Sequence, residues 1–260
     1  MEAARKTVLL LGDLTGKGRV GVRMLTAALE ARGHEVLSLP TALISNMLNL
    51  GAHEALDTTD YLLRTLDTWK ALGVGFDLLY IGYITGLAQA QALVPVADGA
   101  RERGMPVLVD PILGDGGRRY RSVSDDQLAG MALLARHATL ITPNLTEACL
   151  LTDTPFEAAE RGGEAAWRMI ERLGGGQRSV LVTSARMDGV HAVLGWDAQG
   201  GERIALPYER LPARGFGTGD LFCALLADAL LSGEPLRAAA RRASDGVAQQ
   251  IRLGGRGLLE

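Results

Sequence analysis

The residues best equipped for chemistry are Gly217-Thr218-Gly219-Asp220, which close the run Gly215-Phe216-Gly217-Thr218-Gly219-Asp220 and lead straight into the apolar stretch Leu221–Leu231. Glycines ahead of a helix let backbone N–H groups come close to a ligand. The helix start adds donors without partners and a partial positive charge, which together suit a phosphate or a developing oxyanion. Asp220, in the first turn, can take the proton of an attacking hydroxyl while those N–H groups hold a transferred phosphoryl group. The same residues also make an ordinary glycine-rich turn whose Asp charges the helix start. A Walker A loop is excluded, because no Gly-x-x-x-x-Gly-Lys-Ser/Thr occurs and Lys17 in Gly16-Lys17-Gly18 lacks the rest of that pattern.

Three further motifs carry polar groups. Val109-Asp110-Pro111-Ile112-Leu113-Gly114-Asp115 ends a strand, and a carboxylate there is a candidate ligand for the magnesium that accompanies ATP. Asp-Pro and Gly-Asp are equally ordinary turn chemistry. In Ile141-Thr142-Pro143-Asn144-Leu145-Thr146-Glu147, Pro143 stops the strand, and Asn144 can cap the next helix with Glu147 completing a capping box. Val182-Thr183-Ser184-Ala185-Arg186 reads by itself as a polar strand terminus. Each motif has a bland explanation, but their shared placement at strand ends and helix starts, in this order, is hard to explain by turns alone.

The elements that must position them alternate. Thr7–Leu11 is a strand candidate that runs into a turn-like Gly12-Asp13-Leu14-Thr15-Gly16-Lys17-Gly18, and a helix is predicted from about Arg19 to Arg32. Glu35–Leu39, Asp77–Ile81, Val107–Asp110, Thr139–Thr142 and Ser179–Thr183 are further strands, with helical patterns at Leu87–Arg103 and around Pro155–Leu173. His191–Gly195 and Arg203–Leu206 alternate like antiparallel strands joined by the polar turn Asp197–Gly201, and helices near Thr218–Ser232 and Leu236–Arg252 close the chain. Such alternation predicts an α/β fold with a mostly parallel central sheet and helices on both faces. No linker or repeat interrupts it, so residues 1–260 are expected to form a single domain. Ligands of open α/β sheets bind at the carboxyl ends of the strands. Asp110, Thr142 and Thr183 all fall at such ends.

Composition narrows the classes of function. A hydrophobic content of 47% against 22% charged residues supports a sizeable core, and the 33 glycines follow no period, which excludes collagen-like and linker readings. With a net charge of −3 and few aromatics, a surface that tracks nucleic-acid phosphates is not expected. No signal-peptide pattern opens the chain, and Val8–Leu11 is far too short to span a bilayer, so no membrane partner and a cytoplasmic location are expected. Cys149 and Cys223 lie in apolar helical stretches and read as buried thiols. The histidines His34, His53, His137 and His191 are scattered without metal-ligand spacing.

Taken together, the motifs resemble the ribokinase-like superfamily, and within it the pyridoxal/pyridoxamine (vitamin B6) kinase branch. The resemblance spans nearly the whole chain and is densest over Leu79–Leu151 and Gly215–Gly233. It rests on Gly217–Asp220, on Asp110–Asp115 followed by Tyr120, on Thr142–Glu147 and on Thr183-Ser184. It implies a ribokinase-like three-layer α/β/α sandwich that uses ATP and Mg2+ to phosphorylate the hydroxymethyl group of pyridoxal, pyridoxamine or pyridoxine, and it implies a homodimer. By that resemblance Asp220 is the catalytic base and Gly217, Thr218 and Gly219 form the anion hole. Asn144 and Glu147 organise magnesium and phosphate. Asp110, Thr142, Glu147 and Thr183 surround a cation site that admits a monovalent ion (K+ or Na+). Thr183 and Ser184 touch the nucleotide, and a loop Asp115–Arg121, with Asp115 and Tyr120, closes over it on the flexible Gly116-Gly117 pair. Tyr83, in Gly82-Tyr83, packs near the pyridine ring.

Two segments depart from that pattern. Ser45-Asn46 matches the start of a Ser-(Asn/Thr)-His-Thr substrate motif, but Met47 and Leu48 follow, and Gly12-Asp13-Leu14-Thr15-Gly16 replaces a commoner Ser-His opening. Asp13 can still hydrogen-bond a hydroxyl or a ring nitrogen. A kinase of hydroxymethylpyrimidine or a related heterocyclic alcohol therefore stays open beside the B6 kinase. A binding regulator without catalysis is a third alternative, against which the retention of Asp220 argues.

Overall fold

Four-residue and shorter runs with no polar alternation make the centre of the sheet. Leu78–Ile81, Val107–Val109 and Leu140–Ile141 are buried along their whole length, as strands covered on both faces must be. The computed structural model describes residues 5–211 and 217–253, so Gly215-Phe216 of the glycine-rich run lies outside the described residues. In chain order the elements are β1 (Thr7–Lys17), α1 (Val22–Glu30), β2 (Glu35–Asn46), a 3-10 turn (Leu48–Leu50), β3 (Ala55–Asp57), α2 (Thr59–Ala71), β4 (Leu78–Ile81), α3 (Leu87–Glu102) and β5 (Val107–Val109). There follow β6 (Gly114–Asp115), β7 (Arg118–Arg119), α4 (Asp125–Arg136), β8 (Leu140–Ile141), α5 (Leu145–Thr152), α6 (Phe156–Glu160) and α7 (Glu164–Gly174). The last are β9 (Ser179–Met187), β10 (Val190–Asp197), β11 (Glu202–Pro207), α8 (Thr218–Leu231) and α9 (Leu236–Arg252).

Nine strands form one sheet in the order β11-β10-β9-β8-β5-β4-β1-β2-β3. Its run from β9 to β2 is parallel, and antiparallel strands finish both edges. Alternate side chains feed two cores. Leu9, Leu11, Leu79, Ile81, Val107 and Val109 join the layer of α3, α4 and α7. Val8, Leu10, Leu78, Tyr80 and Leu108 join that of α1, α8 and α9. The expected three-layer α/β/α sandwich is therefore present. Cys149 and Cys223 are free, buried, and on opposite faces of the sheet. Among the described residues no helix is long and apolar enough to cross a membrane.

Several boundaries differ from those predicted. The turn-like Gly12–Gly18 segment continues β1, which bulges between Gly12 and Asp13 and pairs Leu14 with Leu43 and Lys17 with Asn46. β2 correspondingly runs on from Leu39 to Asn46. Pairing with a neighbour overrides the weak strand preference of Gly, Asp and Lys here. α1 begins at Val22, not Arg19, because Gly21 (φ 57°, ψ −137°) lies outside helical space. The helical stretch at 155–173 is two helices parted by Gly162 and Gly163, both at positive φ. The segment Asp115–Arg121 is a tight hairpin, β6–β7, turning on Gly116-Gly117. Helices α2 and α4 are additions, the second announced by a Ser124–Gln127 capping box.

One polar cluster ties α8 to its neighbours. Asp228, 6% exposed, accepts from His34 Nε2 at 2.9 Å and Arg242 Nη2 at 2.5 Å, with Arg32 Nε at 3.5 Å. Removing the carboxylate takes the partner from a buried imidazole, while Arg242 keeps Glu234 and Arg32 keeps the Ala28 carbonyl. Because both arginines keep partial hydration, the cost of Asp228→Ala belongs at the lower end for a broken buried pair, about 3 kcal/mol. Thermal unfolding followed by circular dichroism should show Tm lowered by roughly 6–12 °C.

Candidate active site

The sheet's carboxyl edge and the start of α8 meet at Asp220. Gly217 precedes the helix at φ 84°, and a Cβ there would lie 2.9 Å from the Arg19 carbonyl oxygen, so only glycine fits. Among the described residues no side chain caps this helix start, and its first N–H groups have no partner within the helix. Asp220 is 8% exposed, and its Oδ2 accepts the Gly21 N–H at 2.9 Å. Burial, followed by the charges of Asp110 and Asp13, pushes its carboxyl up to about 8.

The β1 bulge aims Asp13 at the same place. Asp13 is raised to about 6 by burial. A Cβ on Gly21 would stand 2.6 Å from Asp13 Oδ1, so this glycine is wedged between the two carboxyls. Asp110, at the end of β5, is raised to about 6, again chiefly by burial. Its Oδ1 accepts from Thr142 Oγ1 at 2.8 Å and its Oδ2 from the Tyr80 phenol at 3.0 Å. Thr142 Oγ1 also lies 3.4 Å from Cys223 Sγ, one turn beyond Asp220 in α8.

Asn144 and Glu147 form the anticipated capping box of α5. They also do more. Glu147 Oε1 accepts the Leu113 N–H at 3.2 Å, and Asn144 Nδ2 donates to the Gly114 carbonyl at 2.8 Å, which fixes the base of the β6–β7 hairpin. Burial, then Asp110, holds the Glu147 carboxyl well above the usual range. Tyr120 stands at the foot of that hairpin, and burial together with Glu147, Asp115 and Asp220 pushes its hydroxyl up to about 12. Asp115 is exposed and accepts the Gly116 N–H. Thr183 and Ser184 do not end their strand as expected, because pairing with β10 carries β9 on to Met187; Thr183 forms a parallel bridge with Asn144, and the exposed Ser184 has φ 59°.

The acceptor side is less polar. Tyr83 packs with Ala42 and Ile44, against Leu48 and Ile112, and its carbonyl accepts from Thr41 Oγ1. Ser45 stays on the β2–β3 flap: its hydroxyl meets Asn46 Oδ1 at 2.7 Å and the Glu54 N–H at 2.9 Å. The structure thus gathers Asp13, Asp110, Thr142, Glu147, Tyr120, Asp220 and the Gly217–Gly219 backbone, and leaves Ser45 hydrogen-bonded within the flap.

Buried carboxyls that raise one another's pKa form a hard-oxygen, anionic environment that fits a cation. Among the described residues no three His, Cys, Asp or Glu side chains converge to hold an ion by themselves. That suits magnesium, which commonly takes one or two carboxylates and completes its shell with waters and substrate phosphates. Three participants were not anticipated from sequence: Gly21, Tyr80 and Cys223. Tyr80 carried a signal, being the one residue with a polar tip in Leu78-Leu79-Tyr80-Ile81.

These shifts set a pH dependence of stability. Asp13, Asp110 and Asp220 bind protons more tightly folded than unfolded. Their contribution is fully present below about pH 4 and is lost as pH rises through about 6 and then about 8. The ligand-free protein should therefore show a falling Tm between pH 5 and 8.5, shallower in Asp220→Asn, by calorimetry across that range.

Known proteins resemble this chain over most of its length. The family model described as phosphomethylpyrimidine kinase matches residues 27–257. The pyridoxine/pyridoxal/pyridoxamine kinase of Bordetella bronchiseptica is 31% identical over 87% of this chain and 82% of its own length. A Bacteroides thetaiotaomicron structure, assigned to the phosphomethylpyrimidine kinases and crystallised in a form with pyridoxal, is 32% identical with a TM-score of 0.84, covering 96% of this chain and 88% of that one. The pyridoxal kinase of Lactobacillus plantarum is 26% identical, with a TM-score of 0.82 over 96% of this chain and 88% of its own.

Proposed function

The chain belongs to the phosphomethylpyrimidine kinase family, of ribokinase-like fold, and from that premise we propose that it transfers the γ-phosphoryl group of ATP to the hydroxymethyl group of a B6 vitamer. The observation that carries this reading is the Asp220 carboxyl, buried and seated on the Gly21 N–H at the uncapped start of α8. The acceptor oxygen attacks the γ-phosphorus, its proton passes to Asp220, and the bond to the bridging oxygen breaks to release ADP. Backbone N–H groups of Gly217, Thr218 and Gly219 hold the phosphoryl oxygens as charge builds on them.

Asp110, Thr142, Glu147 and Thr183 are the residues that would hold a cation beside the phosphates, with Asn144 fixing Glu147. Magnesium bound there supplies charge neutralisation for the phosphates, and K+ or Na+ is the candidate monovalent ion. Thr183, Ser184, Asp115 and Tyr120 are assigned to the nucleotide side and Asp13 and Tyr83 to the acceptor side, with Ser45 held back on the flap by Asn46 and Glu54. Tyr83 offers its ring to a heteroaromatic acceptor, and Asp13 a partner for a ring nitrogen or hydroxyl.

A second reading, phosphorylation of hydroxymethylpyrimidine, is favoured by the family model and by the apolar wall that Leu48 and Ile112 build against Tyr83. ADP release with ATP and magnesium, offering pyridoxal, pyridoxamine, pyridoxine and hydroxymethylpyrimidine separately, tests the two. Preference for a vitamer supports the first, preference for the pyrimidine the second, and turnover with none overturns both. The reading includes a single kinase domain over residues 1–260, acting in the cytoplasm as a homodimer. Exposed Leu43, Leu56 and Tyr61 on and beside the flap support the dimer. Sedimentation velocity should show Leu56→Glu as a monomer if that face joins the protomers.

A further inference from the structure

We propose that Tyr80 is a positioning residue for phosphoryl transfer, whose phenol fixes the orientation of the Asp110 carboxylate from inside the sheet. The inference rests on the reading above in one respect, that Asp110 serves the cation and phosphates.

Tyr80 is 1% exposed, in a strand whose other residues are Leu78, Leu79 and Ile81. Phenols are seldom placed at the centre of a parallel sheet without a partner, since an unpaired buried hydroxyl is costly. Here the partner is Asp110 Oδ2, 3.0 Å away, while Thr142 Oγ1 holds the other oxygen at 2.8 Å. Two donors, one within β4 and one just past β8, fix the rotation of the carboxylate about its own axis. Each oxygen keeps a lone pair for something else. Thr142 in turn touches Cys223 on α8, so the set joins β4, β5, β8 and the helix that carries Asp220. The backbone makes room for it. A Cβ at Gly82 would lie 3.0 Å from the Tyr80 hydroxyl oxygen, so glycine at that position lets the phenol reach Asp110.

A partner that orients a ligating carboxylate has a measurable weight. Loss of such a partner commonly lowers metal affinity or activity by roughly 10- to 100-fold. Tyr80→Phe keeps the ring and removes the donor. Gly82→Ala keeps the donor and crowds it, so the two variants reach the same hydrogen bond from different sides. The experiment measures kcat and both KM values, Mn2+ affinity for the full-length protein with ADP by electron paramagnetic resonance, and Tm, in both variants, in Asp110→Asn and in the Tyr80→Phe/Asp110→Asn double variant. Expected are losses of roughly tenfold or more in kcat and in Mn2+ affinity for Tyr80→Phe. The acceptor KM stays unchanged, Gly82→Ala behaves alike, and Tyr80→Phe adds no further loss once Asp110 is Asn. If both single variants fold and bind Mn2+ as the parent does, Tyr80 is merely structural and the inference is overturned. If Asp110→Asn itself leaves Mn2+ binding unchanged, the cation reading of Asp110 fails, and this inference falls with it. Loss in Asp110→Asn without loss in the Tyr80 and Gly82 variants sinks the inference alone.

Discussion

Asp220→Asn is expected to lower kcat by about three orders of magnitude while leaving ADP binding and the fold intact. A positioned general base contributes roughly 10²- to 10⁴-fold, and among the described residues the carboxyl seated on the Gly21 N–H is that of Asp220. The amide oxygen of Asn can still accept that N–H, so the loop keeps its hydrogen bond. Burial holds this carboxyl up at about 8, so Asn stands in for its protonated form, and Tm at pH 7 should stay within a few degrees of the parent. Steady-state kinetics, with ADP affinity from calorimetry, separate the two effects. A variant that turned over normally would exclude Asp220 as the base and restore the reading of a binding protein without catalysis.

Gly21→Ala is expected to lower kcat/KM by about a hundredfold without altering any side chain of the site. At φ 57° and ψ −137° an L-residue is strained, and its Cβ would stand 2.6 Å from Asp13 Oδ1 and 2.8 Å from the Asp13 carbonyl oxygen. Relief requires the turn to move. The N–H that seats Asp220 moves with it, and displacements of about 1 Å can cost about a hundredfold. The strain itself should lower stability by about 1–3 kcal/mol. Parallel measurement of kcat/KM and Tm in Gly21→Ala and Gly18→Ala is informative. Gly18 also has positive φ, but its neighbour is the flexible Met47 side chain rather than a carboxyl. A Gly21→Ala enzyme with parental activity would show that the seat does not position the base.

The motifs were legible because each is local. Asn144 and Glu147 are three residues apart, and their capping box follows from sequence spacing. Gly217–Asp220 runs straight into the apolar stretch Leu221–Leu231, so its place at a helix start was also visible. The flap was not legible. Gly12, Asp13, Gly16 and Lys17 have turn-forming character, and what makes them a strand is the partner β2, with the bulge at Gly12/Asp13 bending both. The double role of Glu147, as cap and as anchor for Leu113, was half visible for the same reason: the cap is local and the anchor, 34 residues away, is not.

By itself, then, the sequence determined the central strands and the order of the motifs along the sheet edge, and it nominated the groups proposed for phosphoryl chemistry. Periodicity and short-range hydrogen bonding decide those. Only the tertiary structure decided which groups meet. Gly21 reaches Asp220 across 199 residues, Tyr80 reaches Asp110 across 30, and Ser45 turns to the flap's own Asn46 and Glu54. Contacts of that range depend on sheet order and register, and the raised pKa values of Asp13, Asp110 and Asp220 come mainly from burial that appears only when helices cover both faces.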